Sequence, residues 1–415
     1  MDNTCTPTYH KMWNRDFSLL IIAELLLCVA CYMTIPFLPC RLYWNNYVDA
    51  EWACLTMGAF VAGIGISGLF GSWLIQRYRR NKVFLVSTFC LSATILAMST
   101  FDVSANRHID TTQITWLMAA CICGGFVFGH AKRVLSCTLL IDKTESCHRT
   151  EANYAAIWIS RLAVAAGPIA AILIRQETQG TAYYAIGAAT ALIAAILVMM
   201  VKFPFRAPEE GTHVLSIDRF FLPQGWNVAI VIALMGAALG IVMATHMSIE
   251  FLSAIAVGFV IAIILLKYKA VRTGKFTSAI GNVCILAAIA AMAMHNGMLD
   301  DTLKPMVLGL GYGMTSSEQL YKLLDHSSHC QRSTVESTYF MASDGGLFVG
   351  IAIGWAGEYG LGSQAAYGAH LALILFAVAT LTCSVNAIIK TIMHNTGVSH
   401  YCRHTKTHYK KEEIS

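Results

Sequence analysis

The sequence predicts an all-α integral membrane protein, with about twelve transmembrane helices in two pseudo-symmetric six-helix bundles. Three observations lead there. Of 415 residues, 56% are hydrophobic and only 13% charged, with a mean hydropathy of +0.57; a soluble domain carries about 25% charged residues. Twelve separate runs approach the length of about 20 residues that spans a bilayer. Finally, Asp142, Cys147, Arg149, Ser160, Gly167 and Tyr184 reappear at a constant offset of 183 residues as Asp325, Cys330, Arg332, Ser343, Gly350 and Tyr367. The apolar runs around them repeat too, as expected for parallel repeats about an axis along the membrane normal.

In chain order, the first six spans are placed at Phe17 to Phe37, Trp52 to Ile75, Val83 to Phe101, Thr112 to Ile141, Tyr154 to Ile174 and Ala182 to Val201. The first run is long enough to cross and lacks a small-residue cleavage site, so it reads as a retained helix. A polar connector, residues 202–224, follows the bundle at 1–201. The second bundle, residues 225–392, holds Trp226 to Thr245, Ser248 to Leu266, Ser278 to His295, Thr302 to Leu324, Glu336 to Ala356 and Ala365 to Ile389, and a basic tail occupies 393–415. Arg77, Arg79, Arg80, Lys82, Lys143, Arg149, Lys202, Arg206, Lys267, Lys269, Arg272, Lys275 and Arg332 fall on one side, against Arg41, Arg107, Arg175 and Lys304 on the other. That bias puts both termini in the cytoplasm.

Composition also excludes several functions. The net charge of +5 comes from short connections between apolar runs, so it reports topology and not nucleic-acid binding. Most of the fourteen cysteines lie inside apolar helices, where a reduced thiol behaves as a small hydrophobe. The Cys28-Val-Ala-Cys31 spacing lacks the electropositive setting that activates thiols. His400, Cys402, His404 and His408 crowd the tail without a compact fold to fix ligand geometry, so no metal is expected there. No phosphate-cradling glycine loop followed by Lys-Ser/Thr is present, which argues against ATP-driven transport, and neither a cofactor nor enzymatic activity is expected.

Charges inside apolar spans are the functional candidates, because lipid rejects them unless they face a polar pathway or a partner. The first half offers Glu24, His130, Lys132, Arg133 and Arg161; the second offers Glu318 and Asp344, with Lys322 one turn beyond Glu318. Arg161 and Asp344 occupy equivalent positions of the repeat, so one half has a basic interior and the other an acidic one. Small residues at every fourth position mark faces of close helix approach. These are Ala59, Gly63, Ser67 and Gly71 in the second span, Ala163, Gly167 and Ala171 in the fifth, Ala254, Gly258 and Ala262 in the eighth, and Ala342, Gly346, Gly350 and Gly354 in the eleventh.

With six plus six spans, a cytoplasmic connector and a basic loop after the second span, the chain resembles the major facilitator superfamily over nearly its whole length. Residues 72–82 are similar to that family's loop signature: Leu74, Arg77 and Arg80 match, while Gln76 stands where Asp is usual and Arg79 where Gly is usual. Gly167-Pro168 is similar to the end of the signature of drug:proton antiporters, whose earlier glycines and fourth-helix arginine are absent here. The resemblance implies that the second span packs on the eleventh and the fifth on the eighth, making the ridges of Gly63, Gly71, Gly167, Pro168, Gly258, Gly346, Gly350 and Gly354 contacts between halves. It also implies a central cavity lined by the first, fourth, seventh and tenth spans.

The expected function is a secondary transporter working by alternating access, a proton-coupled exporter of small organic molecules in a bacterial inner membrane. Its partners are a small-molecule substrate, protons and the lipid bilayer, and the chain acts as a monomer. Glu24 and then Asp344 are the candidates for proton coupling. His130, Arg133, Arg161 and Glu318 are candidates for the cavity, and Lys132 with Glu318 and Lys322 for a cytoplasmic gate. An organic-anion or sugar-related permease is the alternative within transport; a transporter-like sensor or scaffold is the alternative outside it.

Overall fold

The computed structural model describes residues 12–46, 48–102, 111–145, 148–177, 182–203, 213–217, 219–268, 277–294, 301–328, 331–360, 370–376 and 378–379. Among these the regular structure is helical, with no strand. The basic tail, most of the twelfth span, and the repeat residues Cys147, Cys330 and Tyr367 lie outside the described residues.

The first half contains α1 (Arg15–Thr34), α2 (Leu38–Asn46), α3 (Ala50–Arg77), α4 (Arg80–Asp102), α5 (Thr111–Val134), α6 (Arg149–Glu177) and α7 (Ala182–Met199). The second contains α8 (Trp226–Thr245), α9 (Ile249–Lys267), α10 (Thr277–Ala293), α11 (Leu303–Asp325) and α12 (Arg332–Gly360). Nine helices among the described residues are long and apolar enough to cross a membrane. α1 and α2 form one span, joined by a 3₁₀ turn at Ile35–Phe37. Pro36 and Pro39 each lack the N–H that an α-helical turn needs there, so the turn tightens instead of breaking. Asn14 starts α1 by accepting from Phe17 N at 2.8 Å, and Ser248 starts α9 by accepting from Phe251 N at 3.2 Å.

Helix pairing repeats between halves. α1 packs on α6 as α8 packs on α12, and α3 packs on α5 as α9 packs on α11. Between the halves, α3 meets α12 and α6 meets α9, the two pairs implied by the resemblance. The glycines of the small-residue ridges make their closest contacts elsewhere. Gly63 faces the backbone of Ile122 and Phe126 on α5, Gly71 faces the Arg133 side chain, and Gly258 faces Met306 on α11. Gly346, Gly350 and Gly354 face Ala233, Ala237 and Ala244 of α8. Gly167, with buried Pro168 beside it, faces Tyr32 and Met33 of α1. Assigning these glycines to packing between halves is therefore corrected: small residues let two backbones approach, and the closest approaches are inside each half. The repeated pair Gly167 and Gly350 does the same work twice, seating the fifth span on the first and the eleventh on the seventh.

The halves touch at both ends. At one end the indole of Trp355 donates to the Pro36 carbonyl at 3.1 Å. Toward the basic-loop end, the Trp158 indole donates to Ser317 Oγ at 3.2 Å. There the connector also folds back beneath the bundle: Ser216 N donates to Leu69 O at 3.0 Å, and Leu222 N to Thr338 Oγ1 at 2.9 Å. Phe220 lies against Gly68, where a Cβ would collide with its ring.

Candidate functional site: a buried ionic cluster between the halves

Lys132 lies near the end of α5, which continues into a π-helical stretch at Leu135–Leu140. Its ammonium, 3% exposed, forms an ion pair with Asp344 of α12 and donates to Ser160 Oγ of α6 at 2.7 Å. The face of Phe340 lies 4.3 Å below it. Asp344 also accepts from the Tyr32 hydroxyl of α1 at 2.9 Å. Four helices, three from one half and one from the other, thus converge on one buried pair. Withdrawing both charges from water is costly, and the pair persists because these additional bonds satisfy it. Ser160 and Ser343, equivalents in the repeat, serve opposite partners: Ser160 binds Lys132, and Ser343 Oγ lies 3.4 Å from Asp344.

Glu24 is completely buried on α1. Its Oε1 accepts from Ser136 Oγ at 2.6 Å, whereas Oε2 has no hydrogen-bond partner among the described residues. Ser136 belongs to the π-helical stretch, whose wider turn re-aims side chains relative to the helix before it; such stretches recur at functional sites. Lys132 is the cation that faces Glu24.

Arg133 is held by neutral groups: Nε donates to Ser337 Oγ at 2.9 Å across the halves and Nη1 to Ser67 O at 3.0 Å, with Phe220 stacked 5.2 Å from the guanidinium. Arg161 lies 5.5 Å over the Tyr339 ring. It lines a partly open cavity of about 40 Å³ together with Met235, Phe259, Tyr312, Gln319 and Tyr339. A second cavity, about 20 Å³, lies between Lys132, Arg133, Phe340, Met341 and Asp344. A water needs about 10–15 Å³ of such space, so each of these two cavities has room for one to a few waters.

Two sequence expectations are placed differently. His130 is buried against Phe126, ring centroids 4.7 Å apart, and lines neither of these cavities. Glu318 pairs with Lys322 on its own helix at 2.8 Å, both partly exposed, so the expected Lys132–Glu318 contact is not made. Lys132 reaches α12 instead of α11. Sequence reasoning also passed over Glu336, which marked the start of a span and so read as a boundary charge; it is 0% exposed. Among the described residues no group of three or more His, Cys, Asp or Glu could hold a metal ion, and the described cysteines are free thiols.

Two related helical bundles enclosing buried charges between them define a membrane carrier. The family model described as "Major Facilitator Superfamily" matches residues 20–354, and the chain belongs to that family. It is a transporter, not an enzyme. Similar solved structures include the nucleoside transporter NupG (13% identity, TM-score 0.57, covering 90% of this chain and 98% of that one). The transporter FucP in its outward conformation is also similar (15%, 0.58, 90% and 99%), as is a bacterial homologue of the iron transporter ferroportin in an outward-facing state (14%, 0.63, 89% and 98%). At these identities the likeness is one of fold. No curated protein matches the sequence.

Proposed function

We propose that this transporter is a proton-coupled exporter of small organic molecules, working by alternating access from a bacterial inner membrane with both termini in the cytoplasm. The supporting observation is the buried Lys132–Asp344 pair bridging the halves beside the half-satisfied carboxyl of Glu24. A proton arriving on Asp344 cancels its charge and releases Lys132, which then turns toward Glu24, another acid facing it. The halves lose their central tie and part. A proton leaving Asp344 restores the pair and the closed form. Charge neutralisation thereby becomes motion, because an unpaired ammonium is far less costly in a hydrated cavity than in a dry one.

The cavity beside Arg161 is mainly apolar and aromatic, including Met235, Phe259, Tyr312 and Tyr339, a lining that suits a flat organic molecule. Arg161 in that wall favours a second reading, transport of an organic anion. Proteoliposomes under an imposed pH gradient test both, with a panel of fluorescent aromatic dyes, cationic and anionic. Gradient-driven dye movement that Glu24→Gln or Asp344→Asn abolishes supports proton coupling; movement indifferent to the gradient refutes it. Preference for anionic dyes that is lost in Arg161→Gln selects the second reading.

A further inference from the structure

Glu336 sits in the second turn of α12 with no exposure to solvent, and among the described residues its carboxyl oxygens meet no hydrogen-bond partner of good geometry, the weak donor Cys137 Sγ being the one that faces them. The titratable groups that face it are Glu24 from α1, Lys132 from α5 and Cys137 from the π-helical stretch. α8, packed along α12, carries no charged residue, and α3 carries its charges, Glu51 and Arg77, only at its ends. Lys132 is already engaged with Asp344. A carboxylate left dry and unpaired costs so much that the neutral acid is the form compatible with this geometry.

Its position supplies the rest. The next residue ties the halves together, Ser337 accepting from Arg133 at 2.9 Å, and the one after it holds the connector, Thr338 accepting from Leu222 N at 2.9 Å. Glu336 is therefore at the seam that must open for a path to form toward the basic loop. Water reaches it only when the seam opens.

We propose that Glu336 is a second proton-binding carboxylate, separate from Glu24, which exchanges its proton with water at the basic-loop end as the halves part. The step is a carboxylate taking one proton from water, or returning it, with no other bond changed. It extends the proton-coupled reading above and rests on it. The consequence is a proton bound to Glu336 in the closed state, beside the π-helical stretch that places Ser136 at Glu24 and Cys137 near Glu336.

The test is infrared difference spectroscopy of the full-length protein in lipid, between acidic and alkaline buffer, following the carbonyl stretch of protonated carboxylic acids. Proton release is counted in parallel with a pH dye. Glu336→Gln is expected to remove one carboxylic-acid band and one released proton per molecule, and Glu24→Gln to remove a different band. If Glu24→Gln removes its band and Glu336→Gln changes neither band nor count, the second site is overturned while coupling through Glu24 stands. If neither variant changes anything, the coupling reading falls with it. Should Glu336→Gln not yield a monodisperse protein, Cys137→Ser gives the same answer: a shifted Glu336 band supports the site, and an unshifted spectrum overturns it.

Discussion

Asp344→Asn removes one member of the buried pair and leaves Lys132 in a dry interior. Losing one partner of such a pair costs about 3–5 kcal/mol. Lys132 keeps its bond to Ser160 Oγ at 2.7 Å and the face of Phe340 at 4.3 Å, so the lower end applies, about 3 kcal/mol. Parting the halves returns the ammonium to water, so most of this cost falls on the closed state alone. At about 1.4 kcal/mol per tenfold, the closed-to-open ratio falls about 100-fold. Met341 lines the cavity beside the pair and reports this directly. With native reactive thiols replaced, a cysteine at Met341 is expected to react about 100-fold faster with a hydrophilic maleimide in Asp344→Asn, on the same cost. Lys132→Met is expected to act in the same direction, and the double variant Lys132→Met/Asp344→Leu to return toward the parent, because two apolar side chains can replace a buried pair at little cost. Additive effects in the double variant, or unchanged labelling in both singles, would refute the pair as the tie between the halves.

Gly167→Val and Gly350→Val are expected to lose folded protein in fluorescence-detected gel filtration, by at least the roughly 1–3 kcal/mol of overpacking, since each would press on another helix's backbone. Gly65→Ala, with nothing within 4 Å of its added carbon, is expected to be neutral. Arg80 pairs with Asp142 at 2.6 Å near the surface, so Arg80→Gln is expected to lower thermal stability in detergent by no more than about 1 kcal/mol. A cysteine at exposed His213 is expected to resist an impermeant thiol reagent in intact cells and react after permeabilisation; labelling from outside would invert the topology. Phe220→Ala is expected to raise labelling of the Met341 cysteine as well, by freeing the connector from Gly68 and Arg133.

The fold was legible because the bilayer imposes it. Long apolar runs must be helices, and the repeat of Gly167 at Gly350 records one close packing made twice. The partners of those glycines were not legible. A ridge of small residues announces that a backbone approaches, but the pattern is identical whether that backbone belongs to the same half or the other. The charged candidates divide in the same way. Glu24, Lys132, Arg161 and Asp344 stand out as charges in lipid-length runs, yet only the fold brings Lys132 to Asp344 instead of Glu318. Ser136 could not be assigned to Glu24 by a period of 3.6 residues, because it lies in a π-helical stretch where that period fails. Glu336 escaped because a charge at the edge of an apolar run reads as its boundary.

The repeat also explains why the ionic cluster lies where it does. Two copies of one half bring equivalent residues to opposite sides of a shared seam, so an identical charge at both positions would face its own kind. At the positions of Arg161 and Asp344 the copies carry opposite signs, and the two are electrostatic neighbours across that seam. The attraction is directed between halves and not within either one. Lys132 then adds a cation that the equivalent site does not repeat: Thr315 occupies that position, and its hydroxyl bonds back to Gly311 O at 2.9 Å on its own helix. The seam therefore gains one basic group, whose acidic partner in this structure, Asp344, comes from the other half. The closest backbone contacts are built from glycines inside each bundle, and the central contact between bundles from a buried ion pair.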